Sequence, residues 1–280
     1  MISIKFSKAV KSVTPPLLVP LARTLYAQLQ KLKYYTLRTG HQTQRPCHFE
    51  ELYVRHNGDV YPCCRVWDQK RMKIGHIEDP DLWQKIATFN SACECGEYRL
   101  RKCSSGDKHN YQFLNIELSL VCQGSCAMCC VNAPGWKGSY HYFDSLNQLL
   151  DYCHPRELLL QGGEILVQKQ SLEWVRSVRK QFGSDLHISL VSNGNVNQDM
   201  IEIVEFLFNR VTLSIVGFQP QTYETIMGMD IDKVKSFAEQ LSRNQKVILY
   251  LKSLLSGISE KQLKFTCNCL NILKPVFWKN

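Results

Sequence analysis

The stretch "NIELSLVCQGSCAMCCVNAP", residues 115–134, places three cysteines within eight residues, directly after a strand-like pattern. Residues 115–121 alternate apolar and polar side chains, as a β-strand does. Gly124 and Ser125 interrupt any helix that would follow. We therefore expect Cys122, Cys126 and Cys129 to lie on a loop at the end of a strand. Thiols that converge on such a loop indicate a metal or redox site.

The composition of the chain limits the class of protein. Its 280 residues are 44% hydrophobic, which is enough to form one large core or two small ones. The thirteen cysteines are too dilute for a disulfide-stabilised miniprotein. We find no secretory signal and no apolar run of the roughly 20 residues needed to cross a bilayer. A reducing cytoplasm is the expected compartment, where clustered cysteines indicate metal or redox sites rather than disulfides.

Positive charge is concentrated in the first 49 residues, which contain eight Lys and Arg and no Asp or Glu. A stripe of leucines at helical spacing follows Pro15 and Pro16; its members are Leu18, Leu21, Leu25, Leu29 and Leu32. Residues 1–46 are therefore predicted to be a basic segment with an amphipathic helix. This helix packs on the protein itself, lies on an anionic membrane surface or binds an acidic partner. No nucleic-acid motif accompanies the charge, so nucleic acid is not an expected partner.

Strand and helix patterns alternate from residue 113 onward. Strands are predicted at 113–120, 157–161, 186–191, 211–216 and 246–252. Helices are predicted near 143–152, 170–182, 198–208, 221–227, 231–243 and 259–272. This alternation favours parallel βα units, of which about five or six fit here, fewer than the eight of a complete barrel. The predicted fold class is α/β, with a partial (β/α) barrel in residues 113–280.

Glycines and polar residues stand at the carboxyl ends of the predicted strands, the edge at which parallel sheets bind ligands. These residues are Gly162, Gly163, Glu164, Ser192, Asn193, Gly194 and Ser214. Paired glycines let backbone groups come close to a ligand. Each motif alone is also explained by an ordinary turn. Their order behind the cysteine loop predicts a ligand site.

From residue 113 onward the chain resembles the radical S-adenosylmethionine (SAM) superfamily. The spacing Cys122-x3-Cys126-x2-Cys129 is that family's signature, and the glycine and Ser-Asn-Gly motifs fall where its members carry their later motifs. The resemblance implies that the three thiolates hold three irons of a [4Fe–4S] cluster whose fourth iron binds SAM. It also implies an external reductant such as flavodoxin or ferredoxin. The SAM-site residues that it implies are Gly162, Gly163, Glu164, Ser192, Asn193 and Ser214. Lys252, at the end of the fifth predicted strand, is a further candidate for binding the SAM carboxylate, with a solvated surface lysine as the alternative.

Three residues depart from the usual pattern of that family. Met128 stands where relatives have an aromatic residue before the third cysteine, and Val216 stands where many carry Asp. Cys130 adjoins the motif outside its spacing and is interpreted as a spectator. Buried structural cysteines or a zinc site are the alternatives to a cluster.

A second group of cysteines precedes the predicted barrel. Residues 47–112 resemble the SPASM/twitch module, an auxiliary iron–sulfur domain of radical SAM enzymes, in Gly58-x4-Cys63 and in the segment 74–79. The resemblance implies an auxiliary [4Fe–4S] cluster. Its predicted ligands are Cys47 and Cys63, with a second pair drawn from Cys93, Cys95 and Cys103. The part played by Cys64 and the closure of the site are left open, and a zinc ribbon is the alternative.

The sequence therefore predicts a radical SAM enzyme that reductively cleaves SAM and abstracts a hydrogen atom from a peptide or carbohydrate-type substrate. Epimerisation, oxidation and cross-linking are all compatible outcomes. Cys267 and Cys269 are candidates for returning a hydrogen atom to the substrate, with core packing as the alternative. The rival hypothesis is a cysteine-rich zinc protein that binds a partner without catalysis. The expected location is the cytoplasm, with weak contact between the basic segment and a membrane surface as a further hypothesis.

Overall fold

A computed structural model describes residues 51–64, 66–67, 69–89, 111–127, 141–217, 219–244 and 246–253, together with Cys129, Val131, Ala133, Trp136 and Gly138. All of these residues belong to one compact unit. The basic segment, the helix predicted at 259–272 and several cysteines lie outside the described residues. Those cysteines are Cys47, Cys93, Cys95, Cys103, Cys130, Cys267 and Cys269. The expectations for them stay predictions.

The described residues form one eight-stranded sheet. Its strands are β1 Glu51–Val54, β2 Asp59–Tyr61, β3 Gly75–His76, β4 Phe113–Ser119, β5 Glu157–Gly162, β6 His187–Ser192, β7 Arg210–Ile215 and β8 Ile248–Ser253. They lie in the order β3-β2-β1-β4-β5-β6-β7-β8. Strands β4 to β8 are parallel neighbours in sequence order, as successive βα units require.

Helices connect the parallel strands. They are α1 Leu82–Thr88, α2 Phe143–Cys153, α3 Lys169–Phe182, α4 Met200–Leu207, α5 Pro220–Met227 and α6 Ile231–Asn244, with short 3-10 turns at Lys70–Met72 and Ile165–Val167. These bounds follow the ranges predicted from the sequence closely up to residue 253, and the α/β class is confirmed. Among the described residues no helix has the length and apolar character that crossing a membrane requires.

A hairpin around Asn57 and Gly58 joins the same sheet. β1 pairs antiparallel with β2, with Val54 opposite Val60. β1 also pairs parallel with β4, with Leu52 opposite Leu114. The predicted auxiliary segment and the first predicted barrel strand are therefore neighbours in one sheet. The domain boundaries at 46/47 and 112/113 stay predictions.

The two faces of the sheet differ in chemistry. On one face, Leu114, Ile116 and other alternating strand residues join the buried sides of α2 to α6 in a single hydrophobic core. Because side chains alternate along a strand, Asn115 and Glu117 lie on the opposite face. Register places Tyr53 of β1 beside Asn115 on that face. The second face is therefore polar. The residues predicted to form the site lie at or near the carboxyl ends of the parallel strands.

Candidate functional site

The three signature cysteines lie on the loop that follows β4, which we call the cysteine loop (residues 120–133). Cys122, Cys126 and Cys129 are free thiols, and each is half-buried. Backbone N–H groups donate to two of the sulfurs, from Gly124 to Cys122 at 3.4 Å and from Ala133 to Cys129 at 3.3 Å. Hydrogen bonds to the ligand sulfurs are one means by which proteins set the reduction potential of an iron–sulfur cluster. The cysteine loop therefore supplies such hydrogen bonds to two of the sulfurs that would hold a cluster.

The electrostatics of the loop also fit a cluster. Burial raises the pKa of Cys126 to about 11, and negative charge on Cys122 and Cys129 adds to that rise. Burial likewise raises the pKa of Cys122. Positive charge nearby would favour the thiolate forms of Cys122 and Cys126, and bound iron would supply it. Three soft sulfur ligands leave one position of a four-iron cluster open, as a catalytic site requires.

The middle of the cysteine loop is held by the end of α5. Ser125 donates its N–H to the Met227 carbonyl at 3.0 Å, and Ala127 donates to the Ile226 carbonyl at 2.8 Å. Carbonyls in the last turn of a helix have no partner within that helix, so they are free to accept these bonds. The backbone between Cys122 and Cys129 is thus fixed by a distant segment of the chain.

The glycine pair after β5 is explained by backbone contact with the cysteine loop. Gly163 donates its N–H to the Ser119 carbonyl at 2.7 Å, and Glu164 donates to the Val121 carbonyl at 2.8 Å. A Cβ atom at Gly163 would lie 2.1 Å from the Val121 oxygen. Only glycine allows this approach of β5 to the start of the loop. Contact of Gly162 and Gly163 with SAM stays a prediction.

Glu164 is fully buried and bonded within the protein. Its carboxylate accepts hydrogen bonds from the Ser192 hydroxyl at 3.0 Å, the Asn193 N–H at 2.7 Å and the Leu166 N–H at 3.2 Å. Burial raises the pKa of Glu164 to about 7, although these hydrogen bonds oppose the rise. Glu164 therefore joins the end of β5 to the turn after β6. Direct contact of Glu164 or Ser192 with SAM stays a prediction.

The turn after β6 reaches the cysteine loop through side-chain amides. Asn193 Nδ2 lies 3.7 Å from Cys122 Sγ. Gln123 Nε2 donates to Asn193 Oδ1 at 3.3 Å and to the Asn195 carbonyl at 2.8 Å. Sequence reasoning selected Asn193 but missed Gln123, because a glutamine between two cysteines carries no recognisable signal.

The other two predicted SAM-site residues lie opposite each other on neighbouring strands. Ser214 of β7 pairs with Lys252 of β8. Two residues earlier on the same strands, Thr212 pairs with Tyr250. Ser214 lies on the polar face, because its neighbour Leu213 is buried in the core. Ser214 is half-buried. Contact of Ser214 and Lys252 with SAM stays a prediction.

Tyr223 of α5 brings an unpartnered hydroxyl close to the site. Its side chain is fully buried, and its Oη has no hydrogen-bond partner among the residues that the structure describes. Burial raises its pKa, and charge on Cys126 and Glu164 raises it further, so both groups lie within electrostatic range. A buried donor without an acceptor is costly.

A further polar cluster ties the β1–β2 hairpin to β4. Glu117 accepts hydrogen bonds from the Tyr53 hydroxyl and from His56 Nδ1, the latter at 3.0 Å. Burial opposes ionisation of Glu117, but the bonds from His56 and Tyr53 lower its pKa overall. The His56 ring meets Trp136 edge-on, with ring centroids 6.1 Å apart. This cluster lies on the strand that leads into the cysteine loop.

Of the predicted auxiliary ligands, Cys63 lies in the described part of the chain. There its sulfur forms a group with Cys64 and Glu51 whose ligand atoms all lie within 4.8 Å of one another. The Glu51 carboxylate also accepts the Cys64 N–H at 3.3 Å and the Asn115 amide at 3.0 Å. Two thiols and a carboxylate form a set that can hold a metal. Sequence reasoning missed Glu51, because it stands in a short strand like any other strand residue.

Two family models match the chain. A model of the radical SAM superfamily matches residues 116–269, which is more than half of the chain. A model of an iron–sulfur cluster-binding domain, SPASM, matches residues 46–108. The first match encloses the cysteine loop and the strand ends around it, and the second encloses Glu51, Cys63 and Cys64.

Solved structures that are similar to part of the chain have low sequence identity to it. The SuiB protein of Streptococcus suis bound to the precursor peptide SuiA is 16% identical, with a TM-score of 0.48 over 57% of this chain and 37% of that one. SuiB bound to S-adenosylmethionine has the same identity and TM-score, and 39% of its length is covered. A TYW1 structure with a lysine-pyruvate adduct is 16% identical, with a TM-score of 0.36 over 56% of this chain and 58% of that one. The chain thus spans well under half the length of SuiB, and a search of curated proteins gave no match.

Proposed function

The chain belongs to the radical SAM superfamily, and on that premise we propose that it reductively cleaves SAM and abstracts a hydrogen atom from a peptide or carbohydrate-type substrate. The family and the iron–sulfur domain predicted from the sequence are confirmed, as is its status as a radical SAM enzyme. The cofactors that these domains imply are a [4Fe–4S] cluster, SAM and an auxiliary iron–sulfur cluster.

The cysteine loop is the observation that carries this proposal. Cys122, Cys126 and Cys129 would hold the cluster, with Gly124 and Ala133 donating to two of the sulfurs. When bound, the cluster supplies an electron for the cleavage of SAM, and the cleaved cofactor supplies the oxidising power for hydrogen-atom abstraction. The protein's own contribution is to keep the loop in place between β4, β5 and α5.

The polar face of the sheet supports a substrate rich in hydrogen-bonding groups. Gln161 lies beside Glu117 on this face, and Thr212 lies beside Tyr250. Peptides and carbohydrates both offer many donors and acceptors to such a surface. Epimerisation, oxidation and cross-linking all begin with removal of a hydrogen atom, so the proposal covers each of them.

Residues near Cys63 would hold the auxiliary cluster. Glu51 extends the set of candidate ligands beyond those considered from the sequence, and Cys64, whose part the sequence left open, lies in the same group. A site closed by protein ligands would relay electrons, and a site with an open position would bind substrate.

Two partners belong to the same proposal. An external reductant such as flavodoxin or ferredoxin would supply electrons. Weak contact with an anionic membrane surface through residues 1–49 is supported by their eight basic and no acidic residues. Cosedimentation of the full chain with anionic and neutral vesicles, at low and high salt, tests this contact. Binding that depends on anionic lipid and weakens as salt rises is the expected result.

Anaerobic purification of the full chain tests the central proposal. We expect a brown protein that contains iron and sulfide and that cleaves SAM when a reductant is added. The triple variant Cys122→Ala, Cys126→Ala, Cys129→Ala should keep about half of the iron, because the auxiliary ligands are intact, and should not cleave SAM. A colourless wild-type protein that contains zinc would instead support the non-catalytic zinc-binding hypothesis.

A further inference from the structure

Asn193 connects the turn after β6 to the sulfur of Cys122. Its Nδ2 atom lies 3.7 Å from Cys122 Sγ, a separation that suits a hydrogen bond to the large sulfur atom. The Asn193 backbone is anchored separately, because its N–H donates to the buried Glu164 carboxylate at 2.7 Å. The framework that joins β5 to β6 therefore sets where this side chain lies.

Backbone groups determine which end of the amide faces the sulfur. Asn193 Oδ1 accepts the Asn195 N–H at 2.8 Å, so the Nδ2 end must point the other way. Gln123 is oriented by the same logic, because its Nε2 donates to the Asn195 carbonyl at 2.8 Å. A reversed Asn193 amide would set its NH2 group against a backbone donor and its oxygen against a thiolate. The nitrogen end therefore faces Cys122.

We propose that Asn193 is a positioning residue that raises the reduction potential of the cluster held by the cysteine loop, through an N–H donated to Cys122. The reduced cluster carries more negative charge on its sulfur ligands than the oxidised one. A hydrogen bond to one ligand therefore stabilises the reduced form more. This inference rests on the proposed function, because it requires a cluster on the cysteine loop. It differs from the SAM contact predicted for Asn193, because it acts whether or not SAM is bound.

Potentiometric titration of the full chain, followed by electron paramagnetic resonance without SAM, tests the inference. Asn193→Leu keeps the approximate size of the side chain and removes the donor. We expect it to lower the reduced-to-oxidised ratio at a given potential about tenfold, which is about 59 mV for a one-electron couple. Asn193→Asp keeps an acceptor for the Asn195 N–H and sets a negative oxygen beside the sulfur, so a larger shift in the same direction is expected.

Asn195→Leu is the matched control. The Asn195 side chain lies in the same turn, but its amide donates to the Asp230 carbonyl at 2.8 Å. The potential of this variant should equal that of the wild type. Iron and sulfide are measured in every variant, and Asn193→Asp gives the answer if Asn193→Leu does not retain its cluster.

Two results would overturn the inference. The first is an unchanged SAM-free potential in the Asn193 variants with weaker SAM binding, which would assign Asn193 to SAM alone. The second is an equal shift in Asn193→Leu and Asn195→Leu. The triple cysteine variant separates these results from failure of the proposed function. A titrating signal that this variant lacks belongs to the cysteine loop, and a wild type without such a signal would contradict the proposed function itself.

Discussion

Ser125 donates its backbone N–H to the carbonyl of Met227 at 3.0 Å, so the cysteine loop is held by the end of α5 as well as by the strand that precedes it. The residue after this carbonyl, Gly228, has a φ of +65°, and a Cβ atom there would lie 2.0 Å from Ser125 Oγ. Two segments that are distant in sequence are thus in direct contact, with a hydrogen bond between their backbones. The placement of the cysteines on either side of Ser125 depends on that contact.

Gly228→Ala should therefore displace the cysteine loop. The left-handed backbone alone costs about 1–3 kcal/mol for a residue other than glycine, and the clash with Ser125 adds to this. We expect the purified variant to lose most of the iron held by the loop. Gly183→Ala is the control, because Gly183 also has a positive φ, of +57°, but a Cβ atom there would have no described neighbour within 4 Å. Equal iron loss in both variants would contradict a specific role for the Ser125 contact.

Single substitutions should identify the three cluster ligands. Cys122→Ala, Cys126→Ala and Cys129→Ala are each expected to abolish reductive SAM cleavage, because each removes one iron ligand. Cys130→Ala should keep most of the activity, because Cys130 lies outside the ligand spacing. Cleavage is measured as release of 5′-deoxyadenosine and methionine under anaerobic conditions. An inactive Cys130→Ala together with an active Cys129→Ala would show that the ligand assignment is wrong.

Glu164 should make the stability of the apoprotein depend on pH. Burial raises its folded-state pKa to about 7, from an ordinary value of 4.5. The carboxyl therefore favours the folded state fully below pH 4.5, and this contribution is lost as pH rises toward 7, by up to about 1.4 kcal/mol per pH unit. The destabilisation caused by Glu164→Gln should be larger at pH 5 than at pH 7.5 in urea unfolding.

The control for this titration is Glu173→Gln, because the Glu173 side chain is 62% exposed. The difference in unfolding free energy between Glu173→Gln and the wild type should be the same at both pH values. If the destabilisation caused by Glu164→Gln is also the same at both pH values, Glu164 is ionised in the folded protein throughout this range.

Tyr223→Phe should stabilise the apoprotein. The Tyr223 hydroxyl is buried without a hydrogen-bond partner among the described residues, and such a group costs about 1–3 kcal/mol. Tyr53→Phe is the contrasting control, because the Tyr53 hydroxyl donates to Glu117. The midpoint temperature of thermal unfolding should rise for Tyr223→Phe and fall for Tyr53→Phe. A fall in both would show that the Tyr223 hydroxyl has an acceptor in the apoprotein.

Glu51 and Cys64 should support metal binding in the auxiliary site. In the triple variant that lacks the loop cysteines, Glu51→Gln and Cys64→Ala are each expected to lower the remaining iron by about half or more, because each removes an anionic ligand. Glu51→Gln keeps an oxygen to accept the Cys64 N–H, so the hairpin should stay folded. Cys153→Ala is the control, because Cys153 is buried in the core. Iron content that is unchanged in the Glu51 and Cys64 variants would exclude them as ligands.

Local patterns in the sequence were sufficient to predict the elements of the fold and the chemistry of the main site. Leu114, Ile116 and Leu118 alternate with polar residues, and this period of two is a direct consequence of strand geometry. The spacing of Cys122, Cys126 and Cys129 is likewise local, since all three lie on one loop. The family, the α/β class and the cofactors could therefore be predicted before any contact was known.

The partners of these residues were decided only by the tertiary structure. No local pattern places Asn193 beside Cys122 or Met227 beside Ser125, because the two residues of each pair belong to segments that are far apart in the sequence. The glycine pair after β5 shows the same limit. Its sequence predicts a close backbone approach, but the fold decides that Gly163 approaches Val121 of the chain itself. Periodicity determines which face of a strand is buried, whereas the neighbour on that face depends on how distant segments pack.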